Sequence, residues 1–232
     1  MKIAMWSGPR NISTAMMYAF AARPDFAVWD EPFYAPYLAA SGSDHPMRDQ
    51  IIATHEADPI AVAARCSGAI PLGKKHFYMK HMPLHMLEGF PLDWAADCVN
   101  VHLIRHPARV IASYAAKREQ PTLDDIGFRQ QLELYLKFPG PVLESTDIRR
   151  DPKAMLTALC KAIDLDWDPA MLHWPAGPKP FDGVWATHWY GAVHLSTGFA
   201  EKEGDLPLLE PDMAQLAQQA LPYYDALRAF KL

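Results

Sequence analysis

Apolar residues along this chain fall into short unbroken runs and longer periodic stretches, and the two kinds alternate. Ile3 to Trp6 is a continuous apolar run, the pattern of a strand buried on both faces. Behind it Ile12, Met16 and Phe20 recur at four-residue spacing, one stripe of an amphipathic helix. Ala27 to Trp29, Phe77 to Met79, Val99 to Ile104 and Pro141 to Leu143 are the other strand candidates. Pro107 suits the first turn of the helix after the fourth run, where its missing N–H is no loss. Thr122 and Asp125 form a capping-box pattern for a helix carrying Phe128, Leu132 and Leu136. Asp151-Pro152 opens a helix that turns Met155, Leu156, Leu159, Cys160 and Ile163 inward. A final helix over residues 211–230 is expected to bend or break at Pro222.

Strands separated by helices predict an α/β fold of three layers, with a mostly parallel central sheet and helices on both faces. The chain shows no repeat and no low-complexity tract, and its 232 residues suit one domain over 1–232. Residues 38–75, with helical patches over 47–57 and 60–66, read as an insertion near the acceptor side of the site. Ligands of such sheets collect at the carboxyl ends of the strands. Polar clusters fall at those ends: Pro9-Arg10-Asn11, Asp30-Glu31, Lys80-His81 and Arg105.

Composition narrows the partners. With 50% hydrophobic and 21% charged residues the chain is globular, and a net charge of −5 does not suit a nucleic-acid binder, which would carry a basic face. Four apolar residues between Lys2 and Ser7 are too few for a signal-peptide core, and no stretch approaches the ~18 apolar residues of a membrane span. Cys66, Cys98 and Cys160 form no CxxC pair and read as packed thiols in a reducing compartment. The expectation is a cytoplasmic protein with neither nucleic acid nor membrane as partner.

The turn after the first strand carries the first chemical signal. A strand-to-helix loop offers backbone N–H groups and a helix N-terminus to an anion. Ser13 and Thr14 add hydroxyl donors and Arg10 a forked charge, although Ser13 is equally placed to cap the helix. The GxxxxGK[ST] pattern of nucleotide triphosphate loops is not met, because no lysine precedes Ser13. The second signal is Arg105 at a strand end, with Ser113 eight residues on.

Together these motifs resemble the sulfotransferase family, whose P-loop-NTPase-like proteins transfer the sulfuryl group of 3′-phosphoadenosine-5′-phosphosulfate (PAPS). The likeness covers residues 1–34, 76–118 and 140–175. It implies that Arg10, Asn11, Ile12, Ser13 and Thr14 hold the 5′-phosphosulfate and that Arg105 and Ser113 hold the 3′-phosphate. Ile12 stands where the family has glycine. The basic loop that closes over the 3′-phosphate in cytosolic relatives has no counterpart around 198–204, where Lys202 is the nearby cation.

The chemistry so implied needs a base for the acceptor's proton and cations for the leaving phosphate oxygen. Arg10 is the expected charge stabiliser and Lys80 a second cation. Glu31 aligns with the catalytic carboxylate of tyrosylprotein-type relatives, and His81 with the catalytic histidine of the cytosolic type. An imidazole is nearer its working pKa, whereas the closer local match favours Glu31. Glu31 also reads as a structural turn residue, and His81 with His85 as an i, i+4 metal pair that Pro83 disfavours. His102 and His106 read as packing or phosphate-proximal residues. The aromatic stretch Trp185 to Tyr190 suits either an acceptor pocket or a small satellite core, as do Phe33, Tyr34 and Tyr37.

The functional expectation is sulfuryl transfer from PAPS, without a metal, to a hydroxyl or amine of a small or carbohydrate-like acceptor. A Mg-nucleotide phosphotransferase and a non-catalytic ligand-binding protein of the same fold are the alternatives. Nothing in the chain suggests a pyridoxal site.

Overall fold

The structure, a computed structural model, describes residues 1–116 and 121–232, so residues 117 and 118 of the family-like stretches lie outside the described residues. Five strands, β1 (Lys2–Ser7), β2 (Phe26–Asp30), β3 (His76–His81), β4 (Val99–Ile104) and β5 (Val142–Glu144), form a parallel sheet in the order β2-β3-β1-β4-β5. Four of them lie on unbroken apolar runs, as strands covered on both faces favour. β4 instead alternates, and its buried Asn100 and His102 are hydrogen-bonded to the Ala95 and Phe138 carbonyls. α1 (Ser13–Ala21) follows β1, and α2 (Tyr34–Ser41), α3 (Arg48–Thr54) and α4 (Pro59–Ser67) connect β2 to β3. α5 (Pro107–Ala115), α6 (Leu123–Ile126) and α7 (Phe128–Lys137) lie between β4 and β5. After β5 come α8 (Ser145–Arg150), α9 (Pro152–Ala162), the one-turn helices α10 (Ala186–Trp189) and α11 (Gly191–His194), and α12 (Pro211–Arg228).

Two apolar layers sandwich the sheet, and strand alternation decides which residue enters which. Ile3, Met5, Tyr78, Val101 and Leu103 pack with α1 and α9, while Ala4, Trp6, Phe77 and Met79 pack with α4 and α7. A third cluster joins Ile104 and α5 to Leu216, Ala220 and Leu227 of α12. The chain reaches β5 through Gly140, where an added Cβ would stand 1.8 Å from the Asn100 carbonyl oxygen, so only glycine fits.

Four local expectations need correction. Ile12, not Ser13, is the residue before α1, and it caps with no side-chain hydrogen bond. The Thr122–Asp125 capping box is present, but the helix it opens ends at Gly127 (φ 69°), and α7 starts afresh beyond that left-handed residue. Leu136 is therefore 73% exposed, and Gln131 and Leu134 turn inward instead. α12 does not break at Pro222 but continues as one helix over Pro211–Arg228. Elsewhere the capping chemistry follows the sequence, with Pro107 in the first turn of α5 and the Asp151 carboxylate accepting from the Ala154 N–H.

Candidate active site

The carboxyl ends of β1, β2, β3 and β4 open onto one cavity of about 280 Å³. The loop leaving β1 builds its first wall. Arg10 (φ 62°) and Ile12 (φ 60°) both take left-handed backbone, which turns the chain sharply enough for α1 to start at the cavity. For a β-branched residue that conformation is strained, and such strain concentrates at functional sites. Arg10, Ile12, Ser13 and Thr14 line the cavity. Asn11 does not: its Nδ2 donates to the Leu103 carbonyl at 3.1 Å, so the side chain ties the loop to β4 rather than facing a ligand.

The second motif meets the first directly. Arg10 Nε donates to Ser113 Oγ at 2.9 Å, and Arg105 Nη1 donates to the Arg10 carbonyl at 2.6 Å. Residues about a hundred positions apart thus form one hydrogen-bonded wall. Burial, with the neighbouring Arg105 charge, lowers the Arg10 pKa from its ordinary value; burial lowers Arg105 likewise, against the pull of Glu203. Arg105 Nε is buried without a partner. Two clustered guanidiniums with an orphan N–H favour an incoming anion.

At the ends of β2 and β3 lies a buried ionic cluster. The register sets Asp30 beside Lys80 on the same face, and Lys80 Nζ donates to Asp30 Oδ1 at 2.9 Å, Glu31 Oε1 at 2.6 Å and Tyr190 Oη at 2.6 Å. Lys80 is thereby fully engaged, and the expectation of a second cation facing the ligand gives way. Burial alone would lower the lysine's pKa, but the two carboxylates raise it, so it stays an ammonium. Burial raises the Glu31 carboxyl above its ordinary value; Lys80 pulls it back and Asp30 pushes it further up. Glu31 itself sits at φ 42° and lines the cavity, with Oε2 4.0 Å from His85 Nδ1.

His81 lies elsewhere. Successive residues of a strand face opposite sides, so with Lys80 toward the cavity His81 points into the other layer. Its ring sits 4.8 Å from Trp6, 4.7 Å from Trp94 and 6.0 Å from Phe33, and neither ring nitrogen has a partner. Burial drives its pKa down to about 3, leaving a neutral ring without access to the cavity. The same geometry separates it from His85, which stacks on Tyr34 at the cavity wall, so the pair does not converge on a metal. Among the described residues no three His, Cys, Asp or Glu side chains come together as metal ligands. His102 is buried with Nε2 3.0 Å from the Phe138 carbonyl oxygen, and His106 accepts from the Ala108 N–H as the cap of α5.

Several cavity residues had weaker signals. The aromatic stretch divides: Trp185 packs in a satellite core with Tyr34 and Ile51, Trp189 lines the cavity, and Tyr190 does both. His45, from the segment read as an insertion, and Tyr114 reach the same cavity. Arg149 of α8 joins the Arg105 side, and only a basic pair in the sequence hinted at it. The segment around 198–204 supplies no clamp cation there; its Glu203 carboxylate lies against the arginines instead.

Comparison with known proteins agrees with this architecture. The family model described as a sulfotransferase domain matches residues 1–231. Branched-chain-amino-acid aminotransferase-like protein 2 of Arabidopsis thaliana is 34% identical over 234 residues, covering 97% of this chain and 41% of the relative. The chain thus spans about two fifths of the length of the curated relatives it matches. A sulfotransferase from Alicyclobacillus acidocaldarius has a similar fold, with a TM-score of 0.55 at 12% identity over 99% of this chain and 96% of that one. The sulfotransferase domain from the curacin biosynthetic pathway gives 0.50 at 14% identity over 94% and 96%.

Proposed function

The chain belongs to the sulfotransferase family, and from that premise we propose that it moves a sulfuryl group from PAPS to a hydroxyl or amine of a small or carbohydrate-like acceptor. The observation that carries this reading is the hydrogen-bonded wall Ser113–Arg10–Arg105 in the same cavity that Glu31 lines. The residues suit a ligand with two anionic ends: Arg10, Ser13 and Thr14 at the start of α1, and Arg105 with its unpartnered Nε near α8. When bound, PAPS supplies the sulfuryl group, an S–O or S–N bond forming to the acceptor as the S–O bond to the 5′-phosphate breaks.

The chain's own groups do the rest. Glu31 takes the acceptor's proton on Oε2, since Oε1 is held by Lys80. Lys80 and Tyr190 fix the carboxylate, and burial keeps its affinity for a proton above that of a free carboxylate, which suits a base. Arg10 stabilises negative charge developing on the departing phosphate oxygen. Tyr34, Trp189 and Val193 form an apolar wall that excludes water on the acceptor side.

The test is thermal stabilisation by adenosine 3′,5′-bisphosphate against Mg-ATP, in the wild type and Arg105→Ala. At a hundredfold excess over Kd the bisphosphate should add about 2.7 kcal/mol to the wild type, and the variant should lose that gain. A response to Mg-ATP alone would replace the reading with phosphotransfer. Bisphosphate binding without sulfuryl transfer across an acceptor panel would leave a non-catalytic binding protein.

A further inference from the structure

Three arginines from three rigid elements converge beside the cavity: Arg105 after β4, Arg109 in α5 and Arg149 in α8. Thr146 of α8 adds a hydroxyl. All four hold one carboxylate. Thr146 Oγ1 donates to Glu203 Oε2 at 2.7 Å, Arg149 Nη1 donates to Oε1 at 2.8 Å, Arg109 Nε lies 3.3 Å from Oε2, and Arg105 Nη2 donates to Oε1. The Glu203 side chain is only 3% exposed, although Glu201, Lys202, Gly204 and Asp205 around it are exposed.

We propose that Glu203 occupies a phosphate-class anion site built by Arg105, Arg109, Arg149 and Thr146, and so is a built-in competitor for the 3′-phosphate of the sulfuryl donor. This rests on the donor reading above. Two features make the site fit a larger anion than the one that fills it. Three guanidiniums face a single negative charge, an excess that a phosphomonoester, with close to two charges and three terminal oxygens, would balance better. Arg105 Nε is also buried and unpartnered, a donor the carboxylate leaves unused.

The loop that carries Glu203 is fastened mainly by the same arginines. Arg149 Nε donates to the Glu201 carbonyl at 2.8 Å, and Arg109 donates to the Gly204 carbonyl at 2.5 Å and the Asp205 carbonyl at 3.3 Å. An anion that recruits the guanidiniums therefore loosens the loop as it displaces the carboxylate. Burial works against ionisation of Glu203, but the Thr146 hydrogen bond and the arginine charges outweigh it and hold its pKa below the ordinary value. The competitor is charged at neutral pH. Where cytosolic relatives are expected to place a basic loop, this chain places an acidic one, and donor binding becomes linked to opening it.

The experiment is to titrate adenosine 3′,5′-bisphosphate and adenosine 5′-monophosphate into the wild type and Glu203→Gln by calorimetry. The glutamine keeps the shape and removes the charge. The bisphosphate should bind at least tenfold tighter to the variant, with 5′-monophosphate affinity unchanged, since that ligand lacks the 3′ group. Equal or weaker bisphosphate binding overturns the proposal while leaving the donor reading intact. Should the wild type bind neither nucleotide, the donor reading fails, and inorganic phosphate then decides the anion site: a gain in Glu203→Gln supports it and no gain overturns it. Amide exchange in the wild type guards against a poorly folded variant. Bisphosphate should speed exchange over residues 201–205, and unchanged or slower exchange overturns the displacement.

Discussion

Lys80 Nζ and Glu31 Oε1 lie 2.6 Å apart, with the lysine side chain 1% and the glutamate 7% exposed. The lysine is the next-to-last residue of β3, and the glutamate follows β2 in left-handed backbone that its N–H bond to the Lys80 carbonyl helps to hold. Backbone and side chain of one lysine thus position one carboxylate at the cavity. Asp30 shares the ammonium, so two buried carboxylates divide one buried cation.

Lys80→Met should accordingly be severely destabilising, because it leaves two carboxylates buried without their cation. A loss of about 3–5 kcal/mol in urea unfolding is expected. Adding Asp30→Asn should recover part of it, and a Lys80→Met protein of wild-type stability would remove the lysine's structural role.

Glu31 carries a pH prediction of defined sign. Its pKa is raised in the folded protein by burial first and by Asp30 next, against Lys80, so the folded state holds the proton to higher pH than the unfolded chain. The stability this gives is complete below the unfolded value of 4.5 and is lost as pH rises through the folded pKa. The stability of the wild type minus that of Glu31→Gln should fall as pH rises above 4.5, measured by urea unfolding at a series of pH values. Activity should move the opposite way, kcat/KM climbing as Glu31 ionises. The other titratable groups facing it are Lys80, Asp30, Tyr190 and His85. Burial and neighbouring charges raise Tyr190 and lower His85, so the phenol and the neutral imidazole do not titrate in that limb.

How much of this was legible in the chain follows from what each signal depends on. The strands could be placed because a sheet covered on both faces favours short apolar runs, and Ile3 to Trp6 is such a run without a polar residue. The parallel sheet followed, and with it the end where Arg10, Glu31, Lys80 and Arg105 gather. Which of Lys80 and His81 faces the cavity depends on the pairing of Asp30 with Lys80, and register is not written in either strand alone. Asn11 turned to the Leu103 carbonyl for the same reason: the β1 loop runs against β4, a contact between distant stretches of chain. Glu203 lies in a polar segment with no periodicity, 98 residues beyond Arg105, and only the folded chain brings the two together.

Ile12 tests the strain of the first loop. At φ 60° a Cβ costs about 1–2 kcal/mol that glycine does not incur. Ile12→Gly and Ile12→Ala both remove the half-buried side chain, but only the glycine relieves the backbone. Ile12→Gly should therefore be more stable than Ile12→Ala by about 1 kcal/mol, the reverse of their order in ordinary backbone. Equal stabilities would show that the loop relaxes out of the left-handed region. Urea unfolding of the two variants decides it.

His81→Phe separates the two bases that the sequence left open. The imidazole lies among Trp6, Phe33 and Trp94 with both nitrogens unpartnered, so its polar atoms are buried at a cost that a phenyl ring does not carry. The substitution should leave stability unchanged or raise it by about 1 kcal/mol, allowing for the slightly larger ring. Turnover should stay within a factor of about two, whereas loss of a general base costs on the order of a hundredfold or more. Glu31→Gln should show that larger loss in kcat with KM little changed, because the carboxylate acts on the proton and not on binding. If His81→Phe instead abolished turnover while the protein kept its fold, the cavity described here would not be where the acceptor loses its proton.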